Sequence, residues 1–261
     1  FLFSSDDYEP FAAQMGPAPV KSMCLNIAHD CNLRCSYCFA AQGDFGHGRK
    51  LMPFEVGKAA IDFLIEHSAN RHNLELDFFG GEPLMNFEVV KQVVEYARSI
   101  EKEHHKNFRF TITTNGLLLT DDKIDYINRE MSNVVLSIDG RKEINDSLRF
   151  RVDGSGSYGA IVPKYQRLVE KRRNGKFDQY YVRGTFTKKN LDFTKDVIHM
   201  RELGFDQISI EPVVADPELL PIALTEEDFP AFTRNMKTLQ GKLFKEKKGE
   251  TRSTFSTSAG S

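Results

Sequence analysis

Apolar and polar positions alternate along this chain in two periods. Residues 74–79 (LELDFF) and 108–114 (FRFTITT) alternate at period two, which predicts half-buried strands. Residues 54–68 (FEVGKAAIDFLIEHS) and 89–104 (VVKQVVEYARSIEKEH) place apolar side chains at helical spacing. The same logic predicts strands over 23–30, 133–139, 180–187 and 207–214. It predicts helices over 120–130, opened by a Thr/Asp cap, over 158–173, interrupted in its first turn by Pro163, and over 191–203.

Six strands separated by helices, at about 30 residues per step, imply parallel pairing with right-handed crossovers. The expected fold class is α/β: a partial (βα)6 TIM-like barrel of parallel strands, with a doubly wound open sheet satisfying the same pattern. Residues 1–20 read as an N-terminal linker, 21–223 as the barrel and 224–248 as a C-terminal helix. Residues 249–261 (GETRSTFSTSAGS) are Ser/Thr/Gly-rich and read as disordered.

Glycines and polar residues gather just after strands: GGEP at 80–83, TTNG at 113–116, SIDG at 137–140. Each alone reads as a turn. In parallel α/β folds, however, the carboxyl ends of the strands share one face, where ligands bind.

Composition narrows the class. Of 261 residues, 40% are hydrophobic and 28% charged, and the net charge is −2, so neither a nucleic-acid nor a membrane partner is implied. No apolar run approaches the ~20 residues of a membrane span. The start lacks the marks of a signal peptide, and a cytoplasmic location is expected.

Three of the four cysteines, Cys31, Cys35 and Cys38, fall in CNLRCSYC. Clustered thiols in a reducing compartment point to metal or redox chemistry. A structural zinc site needs a fourth ligand, for which His29 is a poorly placed candidate. A Cys35–Cys38 redox pair leaves Cys31 unexplained. An iron–sulfur cluster suits three thiolates and leaves one iron open. Cys24 lies about 23 Å of extended chain before Cys31, at roughly 3.3 Å per residue, and is expected as a buried free thiol.

C-x3-C-x2-C followed by an aromatic, after the first strand of such a series, resembles the radical S-adenosylmethionine (SAM) enzymes. The resemblance covers about residues 21–245. It implies a [4Fe–4S] cluster on Cys31, Cys35 and Cys38, with SAM chelated at the open iron. Reductive cleavage of SAM would then yield a 5′-deoxyadenosyl radical that abstracts a substrate hydrogen. Tyr37 and Phe39 match aromatics lying against SAM. Gly80, Gly81, Glu82 and Pro83 match the loop that receives its amino group, although Glu82 also suits a helix first turn. Asn115 and Ser137 match residues that meet the ribose and carboxylate. Arg149 matches an arginine on the cofactor carboxylate, with a surface ion pair as the alternative. Val214 and its neighbours would close the adenine pocket. Arg183 points into the barrel or out of it depending on register.

The motifs around these residues are similar to those of one subgroup, the maturases of SCIFF peptides (six cysteines in forty-five residues). That similarity implies Cys-to-α-carbon thioether formation in a Cys-rich ribosomal precursor peptide, with flavodoxin or ferredoxin as reductant. A sulfatase-maturase-like activity and a non-enzymatic electron-transfer module are the alternatives. Those maturases carry a SPASM domain whose cysteines hold auxiliary clusters. No cysteine follows Cys38 here, so the chain reads as a core fragment, incomplete for full turnover. STFSTS at 253–258 also fits an out-of-frame reading of an aromatic segment, so the tail is expected to be a frameshift product.

Overall fold

The computed structural model of the chain describes residues 18–215, 221–239 and 241. The tail at 249–261 and most of the N-terminal linker lie outside the described residues.

Six strands form the parallel part of one sheet: β1 (Ser22–His29), β4 (Asn73–Gly80), β5 (Asn107–Thr114), β6 (Met131–Ser137), β8 (Tyr180–Phe186) and β9 (Ile208–Pro212). They neighbour each other in chain order, and a short β3 (Lys50–Leu51) pairs antiparallel with β1 at the edge. The first and last strands do not pair, so the barrel is open, a partial (βα)6 arrangement as the periodicity predicts.

The crossovers carry α1 (Phe54–Glu66), α2 (Phe87–Ile100), α3 (Asp121–Glu130), α5 (Tyr158–Arg173) and α6 (Thr194–Glu202). Thr120 stands at the N-cap of α3, but its hydroxyl donates to Asp122 instead of capping a backbone N–H. Helix α5 runs through Pro163 without ending. Residues 229–239 are helical, within the C-terminal helix expected over 224–248.

Period two decides which face is covered. Leu74, Leu76 and Phe78 on β4, with Phe108, Phe110 and Ile112 on β5, face the helices and are at most 1% exposed. Burying such side chains contributes about 1.5–3 kcal/mol each before conformational entropy is counted. The alternate positions, Asp77, Arg109 and Arg183 among them, line the concave side and stay exposed.

Three elements escape the periodicity. β2 (Leu33–Cys35) and β7 (Arg149–Arg151) form a two-stranded antiparallel ribbon, and α4 (Lys142–Leu148) leads into it. The ribbon pairs Cys35 with Arg149 and Leu33 with Arg151. This pairing holds the cysteine segment against the strand that follows α4. No helix among the described residues is long and apolar enough to cross a membrane.

Candidate active site

The loops after β1, β4, β5 and β6 meet at the carboxyl ends of the strands. They enclose a hollow of about 130 Å³ lined by Cys31, Cys35 and Cys38 together with Gly80, Gly81, Glu82, Asn115, Ser137 and Arg149. Tyr37, Phe39 and Pro83 line it too. Of the residues singled out in the sequence, it leaves out Val214, His29 and Arg183. Val214 stands beyond β9 and is 94% exposed, because the chain has left the sheet there. The His29 ring lies 4.7 Å from that of Phe45. Arg183 pairs with Glu211 on the neighbouring strand, on the concave side. Cys24 is exposed, where a buried thiol is expected, because β1 turns that position to the open concave face.

The cysteine loop is held by its own backbone. The Arg34 guanidinium donates to the carbonyls of Cys31 and Leu33, each at 2.7 Å. Cys38 N–H donates to Cys35 O at 3.2 Å, closing a turn that brings the two thiols to one side. Leu33 N–H at 3.4 Å and Asn115 Nδ2 at 3.6 Å donate to Cys31 Sγ.

Gly80 and Gly81 have a more local cause than room for a ligand. A Cβ on Gly81 would stand 2.2 Å from Asp30 O, and one on Gly80, at φ +127°, 2.4 Å from Ala28 O. Gly81 N–H and Glu82 N–H donate to those same two carbonyls at 2.7 and 2.8 Å. The glycines therefore let the GGEP loop lie directly on the cysteine loop.

Glu82 is 1% exposed, and its carboxylate accepts from Thr114 Oγ1, Asn115 N–H and Leu84 N–H at 2.7–3.0 Å. It caps the short 3-10 turn over Pro83–Asn86 and also ties the β4 loop to the β5 loop. Burial pushes its pKa up, against those three hydrogen bonds.

Arg149 is 9% exposed, away from the surface, and makes no ion pair with any described residue. One guanidinium nitrogen donates to Tyr37 Oη at 2.8 Å, and that hydroxyl donates to Asp139 at 2.7 and 2.9 Å. Asp139, fully buried, also accepts Thr185 N–H at 3.0 Å. The sequence pattern presents Asp139 only as a turn residue of SIDG.

No metal is required to explain this packing, so the fit of a cluster is tested on two features. The Nε of Arg149 is buried with no hydrogen-bond partner, a donor left for a group absent from the polypeptide. The thiols also need a cation. Burial pushes Cys31 up to about 12, with the Leu33 N–H opposing and Glu82 adding to the shift. Cys35 is raised by burial, with Arg149 pulling it back. Iron binds the thiolate form, so a metal cation would supply the charge that burial withholds from Cys31 and Cys35. No three His, Cys, Asp or Glu side chains among the described residues converge as around a single ion. A cluster gives each thiolate its own iron and so accepts a wider spacing.

Comparison with known proteins agrees with that donor set. The family model for a 4Fe–4S single cluster domain matches residues 20–159, and the chain belongs to that family. Its relatives place it, more narrowly, in the radical SAM superfamily, whose cofactors are a [4Fe–4S] cluster and SAM. It is 28% identical over 184 residues to the radical SAM cyclopropyl synthase TigE of Paramaledivibacter caminithermalis, covering 66% of this chain and 38% of that protein. It is 24% identical over 234 residues to a cysteine-type anaerobic sulfatase-maturating enzyme of Clostridium novyi, covering 86% and 61%. The chain thus spans roughly two fifths to three fifths of the length of these relatives. Among solved structures, native anSMEcpe with bound AdoMet and Cp18Cys peptide superposes with a TM-score of 0.72 at 20% identity, over 87% of this chain and 62% of that one. Coproporphyrinogen III oxidase of Escherichia coli superposes at 0.59 and 12%, covering 92% and 56%. At these identities the likeness speaks for the fold.

Proposed function

We propose that this chain is the radical SAM core of a peptide-modifying enzyme, and that its hollow at the strand ends is the cofactor site. The observation that carries the reading is the convergence of three thiols on one hollow that Arg149 also lines, a buried guanidinium with its Nε unpartnered.

In this reading Cys31, Cys35 and Cys38 hold the cluster. Bound there with SAM, it supplies one-electron chemistry able to take hydrogen from an unactivated carbon. Arg149 offers its free Nε–H to the cofactor carboxylate, held in place by Tyr37 and Asp139. Asn115 and Ser137 offer polar edges beside it, and the GGEP loop supplies backbone carbonyls for an ammonium. Phe39 and Phe79, stacked at 6.2 Å, present aromatic surface at the rim of the hollow for the cofactor to lie against. The polar concave face leads away from the hollow and gives a peptide its approach.

The substrate is a ribosomal peptide, and the reaction we favour joins a cysteine sulfur to an α-carbon. In that step the α-carbon would lose a hydrogen atom to the bound cofactor's radical, the thiol would lose a proton, and as the C–S bond forms the remaining electron would pass to an oxidised iron–sulfur acceptor. A sulfatase-maturase-like modification is the second reading, favoured by a relative of that name that covers 86% of this chain. The barrel over 21–223 is the proposed catalytic unit, with further segments needed for turnover. Co-expression of the full-length protein with a Cys-rich precursor peptide tests this. A product lighter by two hydrogen atoms per cross-link is expected. A peptide unchanged in mass alongside a modified sulfatase-type peptide would replace the first reading with the second.

A further inference from the structure

A second hollow opens beside the first and has no place in the chemistry above. It measures about 500 Å³ and lies between the loop after β5, the end of the β2–β7 ribbon and the start of α5. Arg151 and Lys164 line it, together with Asn32, Val152 and Asp153. Lys164 Nζ donates to Leu117 O at 2.6 Å, and Lys123 Nζ donates to the next carbonyl, Leu118 O, at 3.1 Å.

Its charge is unbalanced. Arg151, Lys164 and Lys123 make no ion pair with any described residue. The Nε of Arg151 is buried without a hydrogen-bond partner. The one acid in the lining, Asp153, accepts from the N–H and hydroxyl of Ser155 at 2.9 and 2.6 Å and also feels the charge of Arg151. The cations crowd one another, and burial with the charges of Arg151 and Lys123 lowers the pKa of Lys164. Three cations against one acid leave a positive excess that an anionic partner relieves. In the middle of this basic rim Val152 is 64% exposed, an apolar contact that suits a protein better than a free anion.

The hollow also lies close behind the cluster loop. Asn32 lines it and directly follows Cys31. Asn115 Nδ2 bridges Asn32 Oδ1 at 2.8 Å and Cys31 Sγ at 3.6 Å. A partner seated here stands one residue and one hydrogen bond from a thiolate ligand. We infer that this basic hollow, lined by Arg151 and Lys164 behind Asn32 with Lys123 close by, is the docking surface for an acidic one-electron donor protein. The inference rests on the cluster assignment under the proposed function. In the step it serves, the donor loses one electron and the cluster gains it, and no bond is made or broken. Transient electron-transfer encounters need only a small interface, and opposite charge sets their rate.

The test uses full-length protein reconstituted without oxygen, with iron and sulfide measured first. Stopped-flow bleaching of the cluster absorbance is then followed with reduced flavodoxin as the donor. The pair Arg151→Glu and Lys164→Glu should slow the second-order rate about tenfold or more at low salt, with the difference shrinking as salt rises. The neutral pair Arg151→Gln and Lys164→Gln should give an intermediate loss, a gradation that misfolding would not produce. Reduction by a small uncharged reductant, photoreduced deazariboflavin, should not change. Lys102→Glu, at the opposite end of the barrel, should leave both rates as they are. Equal flavodoxin rates in wild type and charge-reversed protein, with the cluster intact, would overturn the docking surface alone. So would slowed peptide modification at an unchanged flavodoxin rate, which would assign the hollow to an acidic peptide. Failure of any cluster to assemble would overturn the site assignment and the docking surface with it.

Discussion

The two faces of the sheet are built to opposite rules. The convex face is apolar and sealed by helices, with Phe78, Phe108 and Phe110 at most 1% exposed. The concave face carries Asp77, Arg109, Arg183 and Glu211, and water reaches it. Parallel sheets are ordinarily covered on both faces. Here one face alone supplies the core, so the other is free to carry polar groups at little cost. Stability and chemistry thus occupy alternate residues of the same strands.

This division has measurable consequences. Phe110→Ala empties the most enclosed part of the helix-side core, and urea denaturation should show a loss of about 3–5 kcal/mol. Gly81→Ala acts at the junction of the faces. Its Cβ would meet the Asp30 carbonyl at 2.2 Å, so the two loops must part. A loss of about 1–3 kcal/mol is expected, with iron retention after reconstitution falling alongside it. Unchanged iron would mean that the GGEP loop does not brace the cysteine loop.

Asp77 tests the concave face by pH. Its carboxyl is raised above its ordinary 3.8 by burial in the sheet's curvature and by Glu75, with Thr111 opposing. Its side chain is nonetheless open to water, so the effect is small and only its sign is assigned. A raised folded pKa contributes stability that is present in full below the ordinary value and is lost as pH rises through the folded value. Asp77→Asn should therefore gain stability over wild type on going from acid to neutral pH, as read from denaturation midpoints. A gain in the reverse direction would contradict the assignment. The smallest effect is expected from Arg183→Ala, within about 0.5 kcal/mol, since its pair with Glu211 is half exposed. A larger cost there would show that the concave face also supports the fold.

The same division explains what sequence periodicity reveals. Six strands and their helices are recognisable because alternation over five to eight residues is long enough to identify. The β2–β7 ribbon is three residues a side, too short for any period, so the pairing of Cys35 with Arg149 goes unseen. The thiols, GGEP, Asn115, Ser137 and Arg149 are found by motif, and the structure brings them to one hollow. Motif alone does not show what some of them touch within the protein. Gly81 makes room for Asp30, and Glu82 binds three protein donors, facts that depend on which loops are neighbours. Cys24 fails because period two locates a side of the sheet, but nothing local says that this side is open; Val214 fails because β9 ends at Pro212, before it. Asp139 is missed because a buried aspartate and a turn aspartate look alike in one sequence.

The most direct measurement is electron paramagnetic resonance of the reduced cluster in anaerobically reconstituted protein, with and without added SAM. Loading itself should improve as pH rises, because Cys31 and Cys35 must shed protons to bind iron. The account predicts a four-iron signal that SAM perturbs, that Cys35→Ala abolishes and that Cys24→Ala leaves intact. A signal indifferent to SAM, or one lost with Cys24→Ala, would contradict it.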